Sequence, residues 1–113
     1  MNSLHLLKDL RVLIVDDSAV VRSVLSKELL RSGVNAVQAE NGRQAFNMAL
    51  AREFDLIITD IEMPFMDGIE LCRRLKSNPK TRQIPIVILS SLDSEKDIQR
   101  GYKAGASTYI SKS

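Results

Sequence analysis

The chain alternates between two hydrophobic rhythms. Short runs of β-branched and aliphatic residues fall at 11–15, 36–39, 56–59, 85–89 and 108–110, and longer amphipathic stretches fill about 18–32, 42–52, 68–77 and 94–104. Apolar runs of four or five residues, continuous rather than alternating, predict strands buried on both faces, as in parallel sheets. The intervening stretches are long enough for helical crossovers. Repeated βα units therefore predict an α/β domain with right-handed connections.

The helix boundaries are marked. Asn41 with Gln44, Asp67 with Glu70, and Ser94 with Asp97 each place a capping side chain three residues before a polar partner. Ser18 suits the first cap, and Val21, Val24, Leu25 and Leu29 form one stripe at helical spacing. Gly33 and Gly105 fall where a helix commonly ends in a left-handed residue. Pro85 stands at the first residue of the fourth apolar run, a tolerated place for proline in a sheet. Gly101 inside the last amphipathic stretch predicts a marginal helix.

Two segments sit outside this pattern. Met1 to Leu10 precede the first strand and carry leucines at 4, 6, 7 and 10, so residues 1–10 read as an N-terminal extension or linker ahead of a domain at 11–113. No amphipathic stretch follows the fifth strand. A fifth helix burying roughly 400 Å² of apolar surface would contribute about 10 kcal/mol gross, which rivals the net stability of a whole domain. The expectation is a C-terminally truncated domain, or a bare sheet face covered by another surface such as a second copy.

Composition narrows the function. The 113 residues fit one domain, and a net charge of +2 with scattered Lys and Arg offers no basic run for nucleic acid. Aromatics make up 4% with no Trp, which argues against a base-stacking surface. A single cysteine, Cys72, excludes an internal disulfide and suits a reducing, cytoplasmic setting. It reads as a small buried hydrophobe. No run approaches the 18 apolar residues of a membrane span.

The candidate chemistry lies at strand ends. Arg11–Val15 runs into Asp16 and Asp17, and Leu56–Thr59 runs into Asp60. Ligands of open α/β sheets bind just beyond the carboxyl ends of the strands. Three carboxylates gathered there would repel one another unless a cation sat among them, and hard oxygen donors favour Mg²⁺. Ser90 closes the fourth run and Lys112 follows the fifth. Ile61-Glu-Met-Pro-Phe-Met-Asp-Gly68 connects Asp60 to the third helix.

An acidic pair, D-x-x-M-P-x-M-D-G, a hydroxyl after the fourth strand, and an aromatic three residues before a lysine together resemble a response-regulator receiver domain from Arg11 to Lys112. The resemblance implies a flavodoxin-like, doubly wound, five-stranded parallel sheet in the order 2-1-3-4-5. It implies that Asp60 is the phosphoacceptor, attacking the phosphohistidine of a histidine kinase or a histidine phosphotransfer domain. Asp16, Asp17, Asp60 and the backbone carbonyl of Glu62 would hold Mg²⁺. Lys112 and Ser90 would contact the phosphoryl oxygens, and Ser90 with Tyr109 would form the switch toward partners on the last helix and strand.

The family usually has proline after the lysine, where this chain has Ser113. A cis bond there would cost about 3 kcal/mol, so a trans bond is expected. Together with Ser90-Ser91-Leu92, this resembles receivers of chemotaxis-type hybrid histidine kinases. Glu62 and Leu92 flank the path of a hydrolytic water, and an apolar Leu92 implies slow self-dephosphorylation. Met63, Phe65 and Met66 read as loop packing. Two other functions fit parts of the pattern: a Mg²⁺-dependent phosphohydrolase of the haloacid-dehalogenase kind, and a pseudo-receiver that docks without phosphorylation.

Overall fold

In the computed structural model, which describes residues 9–112, every apolar run forms a strand. The order is β1 (Val12–Val15), α1 (Ala19–Arg31), β2 (Ala36–Ala39), α2 (Gly42–Ala51), β3 (Leu56–Thr59), α3 (Gly68–Ser77), β4 (Ile86–Ser90), α4 (Glu95–Ala104) and β5 (Thr108–Ser111). All neighbouring strands pair in parallel, in the order β2-β1-β3-β4-β5. This is the expected flavodoxin-like sheet. Four helices and no fifth are present among the described residues. The expected 1–10 extension falls, apart from its last two residues, outside them, as does the Lys112–Ser113 bond.

Alternate side chains divide the core. Leu13, Val15, Ile57, Ile86 and Ile88 meet Ala45, Ala49, Ile69, Leu71, Cys72, Leu75 and Ala104 on the face covered by α2, α3 and α4. On the other face Val12 and Ile14 join Val34, with Leu25, Leu29, Leu56 and Ile58 packed around them. Among the described residues, α1 alone covers that second face. Beyond it Val87 and Leu89 are half-buried, and Ile110 is 48% exposed. The same thin cover corrects the expected stripe of α1. Leu25 and Leu29 pack inward, but Val24 is 55% exposed, because no described residue packs on its side of the helix.

The caps form as half of each expected exchange. Ser18, Asn41, Asp67 and Ser94 accept from the backbone N–H groups of Val21, Gln44, Glu70 and Asp97. The returning bonds differ from the capping-box pattern. Gln44 accepts from Glu40 N–H, one residue early, and Glu70 pairs with Arg74 at 3.0 Å. Asp97 accepts from the Ser94 hydroxyl at 2.7 Å.

Gly101 is explained by packing. A Cβ there would lie 2.9 Å from both Ile88 Cδ1 and Tyr109 Cδ2. The residue that weakens α4 by propensity is the one that lets α4 approach the sheet.

Cys72 is buried on α3, as expected, and burial pushes its thiol pKa up to about 12. Little of the reactive thiolate is thus present near neutral pH. A disulfide reagent such as Ellman's should therefore leave the native protein unmodified and react fully in denaturant. Rapid labelling of the native protein would show α3 to be loosely packed.

Candidate functional site

Register brings the acidic residues together. Val15 pairs with both Ala39 and Thr59, so β1 and β3 end level. The next residues continue the ladder: Asp16 N–H donates to Ala39 O at 3.2 Å, and Asp60 N–H donates to Val15 O at 3.0 Å. Asp16 is buried, Asp60 half-buried and Asp17 exposed. Each can offer one oxygen within 4.8 Å of the others.

Lys112 reaches the same point from β5. Its N–H donates to Ser90 O at 2.9 Å, extending the β4–β5 pairing by one residue. Its ammonium donates to Asp16 Oδ2 at 2.9 Å and lies 3.4 Å from Asp60 Oδ2. Burial works to lower the lysine pKa, but the hydrogen bond to Asp16 and the charges of Asp60 and Asp16 outweigh it, and the net shift is upward. Lys112 is thus held as a cation between two carboxylates. Two backbone N–H groups fix the other oxygens: Ser18 donates to Asp16 Oδ1 at 2.9 Å and Ile61 to Asp60 Oδ1 at 2.7 Å.

The loop after Asp60 folds back tightly. Gly68 N–H donates to Ile61 O at 2.8 Å, and a Cβ on Gly68 would lie 1.9 Å from Asp60 O. Only glycine fits there. Glu62 is exposed and its side chain does not join the acidic cluster, while its carbonyl accepts no hydrogen bond among the described residues. Met63 and Met66 pack against the core, but Phe65 corrects the reading of this segment as packing. Phe65 is 83% exposed at φ 70°, spanned by a Met66 N–H to Pro64 O bond of 2.8 Å. Such γ-turns at positive φ are rare and strained.

Ser90 is fully buried, and its Oγ accepts from Leu92 N–H at 3.2 Å. The Tyr109 ring lies over Gly101, and its hydroxyl donates to the Leu92 carbonyl. Burial raises the Tyr109 pKa, opposed by a hydrogen bond with Ser90 and aided by the charges of Asp97, Asp60 and Asp93. Ser90, Leu92 and Tyr109 therefore form one connected unit beside Asp60.

Two contacts escaped the sequence reading. The Tyr102 hydroxyl accepts from Tyr109 N–H at 3.2 Å, covering an outward backbone donor of edge strand β5. Arg22 Nη1 donates to Asp16 O at 2.6 Å. Neither has a local signal, because the partners belong to different elements.

Residues 12–113 match the model of the response regulator receiver domain. The chain is 44% identical over 105 residues to a gliding motility regulatory protein of Myxococcus xanthus, covering 93% of this chain and 14% of that protein. It spans less than half the length of the curated relatives it matches. Its fold superposes on chemotaxis protein CheY4 of Vibrio cholerae with a TM-score of 0.85 at 33% identity, covering 91% of this chain and 86% of that one. The signal receiver domain of a signal transduction histidine kinase from Syntrophus aciditrophicus gives 0.84 at 38% identity, covering 90% and 77%.

The tight contact under Gly68 makes a direct prediction. Gly68→Ala should destabilise the fold by about 1–3 kcal/mol, the usual range for overpacking. Urea unfolding would show a lower midpoint with an unchanged slope; an unchanged midpoint would mean that the loop yields freely.

Proposed function

Because this chain belongs to the response regulator receiver domain family, we propose that it works in two-component signalling by accepting a phosphoryl group on Asp60. The observation that carries this reading is the convergence of Asp16, Asp17, Asp60, Ser90 and Lys112 at one rim, delivered by β1, β3, β4 and β5. In the reaction, an Asp60 oxygen attacks the phosphorus of a phosphohistidine. A P–O bond forms as the P–N bond breaks, and the imidazole leaves with the histidine partner.

The donor set suits a small hard cation. Three carboxylate oxygens within 4.8 Å of one another, with the Glu62 carbonyl nearby in sequence, fit Mg²⁺ better than a soft metal. When bound, Mg²⁺ would neutralise charge on the transferring phosphoryl group. Lys112, already a cation between Asp16 and Asp60, would pair with one phosphoryl oxygen. Ser90 would donate its hydroxyl to another. Turning that hydroxyl toward the phosphoryl group would move the oxygen that now accepts from Leu92 N–H, and Tyr109 is bonded to that same residue. The switch would thus pass from Ser90 through Leu92 to Tyr109, and on to partners at α4 and β5.

The phosphodonor would be a histidine kinase or a histidine phosphotransfer domain. Lys112-Ser113 and the likeness to the receiver of the Syntrophus kinase support a place within a chemotaxis-type hybrid histidine kinase in the cytoplasm. No described helix is long and apolar enough to cross a membrane. The exposed apolar residues Val24 and Ile110 support a second copy, or a further helix, over the thinly covered face. Light scattering at micromolar concentration that returned only monomer would remove the dimer.

The decisive experiment is intact mass after incubation with acetyl phosphate, with and without Mg²⁺, on this chain and on Asp60→Asn. One Mg²⁺-dependent phosphoryl group, lost in the variant, is the expected outcome. Continuous phosphate release without an adduct would favour the hydrolase. Neither adduct nor release would favour a pseudo-receiver.

Leu92 gives a second test. It offers no polar group to orient a hydrolytic water, so Leu92→Asn should shorten the acyl-phosphate lifetime several-fold. An unchanged lifetime would count against any role for this side chain in shielding Asp60.

A further inference from the structure

Arg22 is the fourth residue of α1, six positions past Asp16, and its guanidinium is held at two corners. Nη1 donates to the backbone carbonyl of Asp16 at 2.6 Å, and Nε donates to Gln38 Oε1 on β2 at 3.1 Å. Gln38 is itself oriented, since its Nε2 donates to Ser26 Oγ on α1 at 3.0 Å. A charge-assisted bond from a planar fork fixes its acceptor more firmly than a neutral one.

The three carboxylates differ in how they are held. Asp16 is fixed by Lys112 and by Ser18 N–H. Asp60 is fixed by Ile61 N–H and approached by Lys112. The Asp17 carboxylate is exposed and makes no ion pair among the described residues. Its position depends on the peptide that joins it to Asp16, and the carbonyl of that peptide is the one Arg22 grips.

We propose that Arg22 is a positioning residue for the cation site: by clamping the Asp16 carbonyl, it holds the Asp16–Asp17 peptide so that the Asp17 carboxylate faces Asp16 and Asp60. This rests on the reading that these three residues bind Mg²⁺. The proposal makes a prediction of sign. Arg22 is a positive charge beside a cation site, so its electrostatic effect alone would weaken Mg²⁺ binding, and its removal would tighten it. Loss of the clamp has the opposite effect.

Titration calorimetry with Mg²⁺ on the wild-type chain, Arg22→Met, Arg22→Lys and Gln38→Ala separates these effects. Arg22→Met should weaken Mg²⁺ about tenfold, the lower end of what outer-shell partners of metal ligands contribute. Arg22→Lys should recover part of the loss, and Gln38→Ala should weaken binding by a smaller factor with every charge near the site retained. Phosphoryl uptake by Arg22→Met should return to the wild-type rate at saturating Mg²⁺.

Unchanged or tighter binding by Arg22→Met would overturn the proposal, as would uptake that stays depressed at saturating Mg²⁺. If Arg22→Met does not fold, Gln38→Ala decides alone, and unchanged affinity there overturns the clamp. A wild-type chain that binds no Mg²⁺ would instead remove the cation site itself, and this inference with it.

Discussion

Three carboxylates held within reach of one another are the constraint on which the site depends. Like charges at the 4.8 Å allowed here repel by on the order of 3 kcal/mol per pair at an effective dielectric of about 20. The fold keeps them together because the β1–β3 register ends both strands level, and because Lys112 places an ammonium between Asp16 and Asp60. Backbone donors complete the arrangement. Ser18 and Ile61 N–H groups direct the remaining oxygens of Asp16 and Asp60, so these two carboxylates are oriented before any ligand arrives.

That constraint shapes the surrounding loops. Gly68 must lack a side chain because the chain turns back directly over the Asp60 carbonyl. Gly42 is under a similar demand, with a Cβ there falling 2.3 Å from Met66 O. These close approaches hold the β3–α3 loop against the β2–α2 junction. Phe65 sits between them in a strained turn with its ring in solvent. The loop therefore carries both the tightest packing and the most exposed aromatic near the rim.

The switch elements follow the same economy of space. Gly101 admits the Tyr109 ring, Tyr109 holds the Leu92 carbonyl, and Leu92 N–H meets the Ser90 hydroxyl. A change at Ser90 is thus transmitted through bonded neighbours to β5, whose outer edge is partly covered by Tyr102. The two faces of the sheet contrast with this. Among the described residues, one is closed by three helices and the other by α1 alone, and exposed Val24 and Ile110 mark the gap.

By itself, the sequence determined the strands, the helices and the cluster of acidic residues with Ser90 and Lys112, while the sheet order came only through the resemblance to a known family. Apolar runs and caps are local, and a carboxylate at the end of a parallel strand has only one rim to occupy. The tertiary structure alone decided that Val24 faces outward and that Gly101 is needed for packing. It also decided that Phe65 is strained and exposed, and that Arg22 grips Asp16. The strain of Phe65 is local to its turn, but the other facts depend on what lies opposite each residue. Opposition across elements is set by register and crossing geometry, which no window of neighbouring residues encodes.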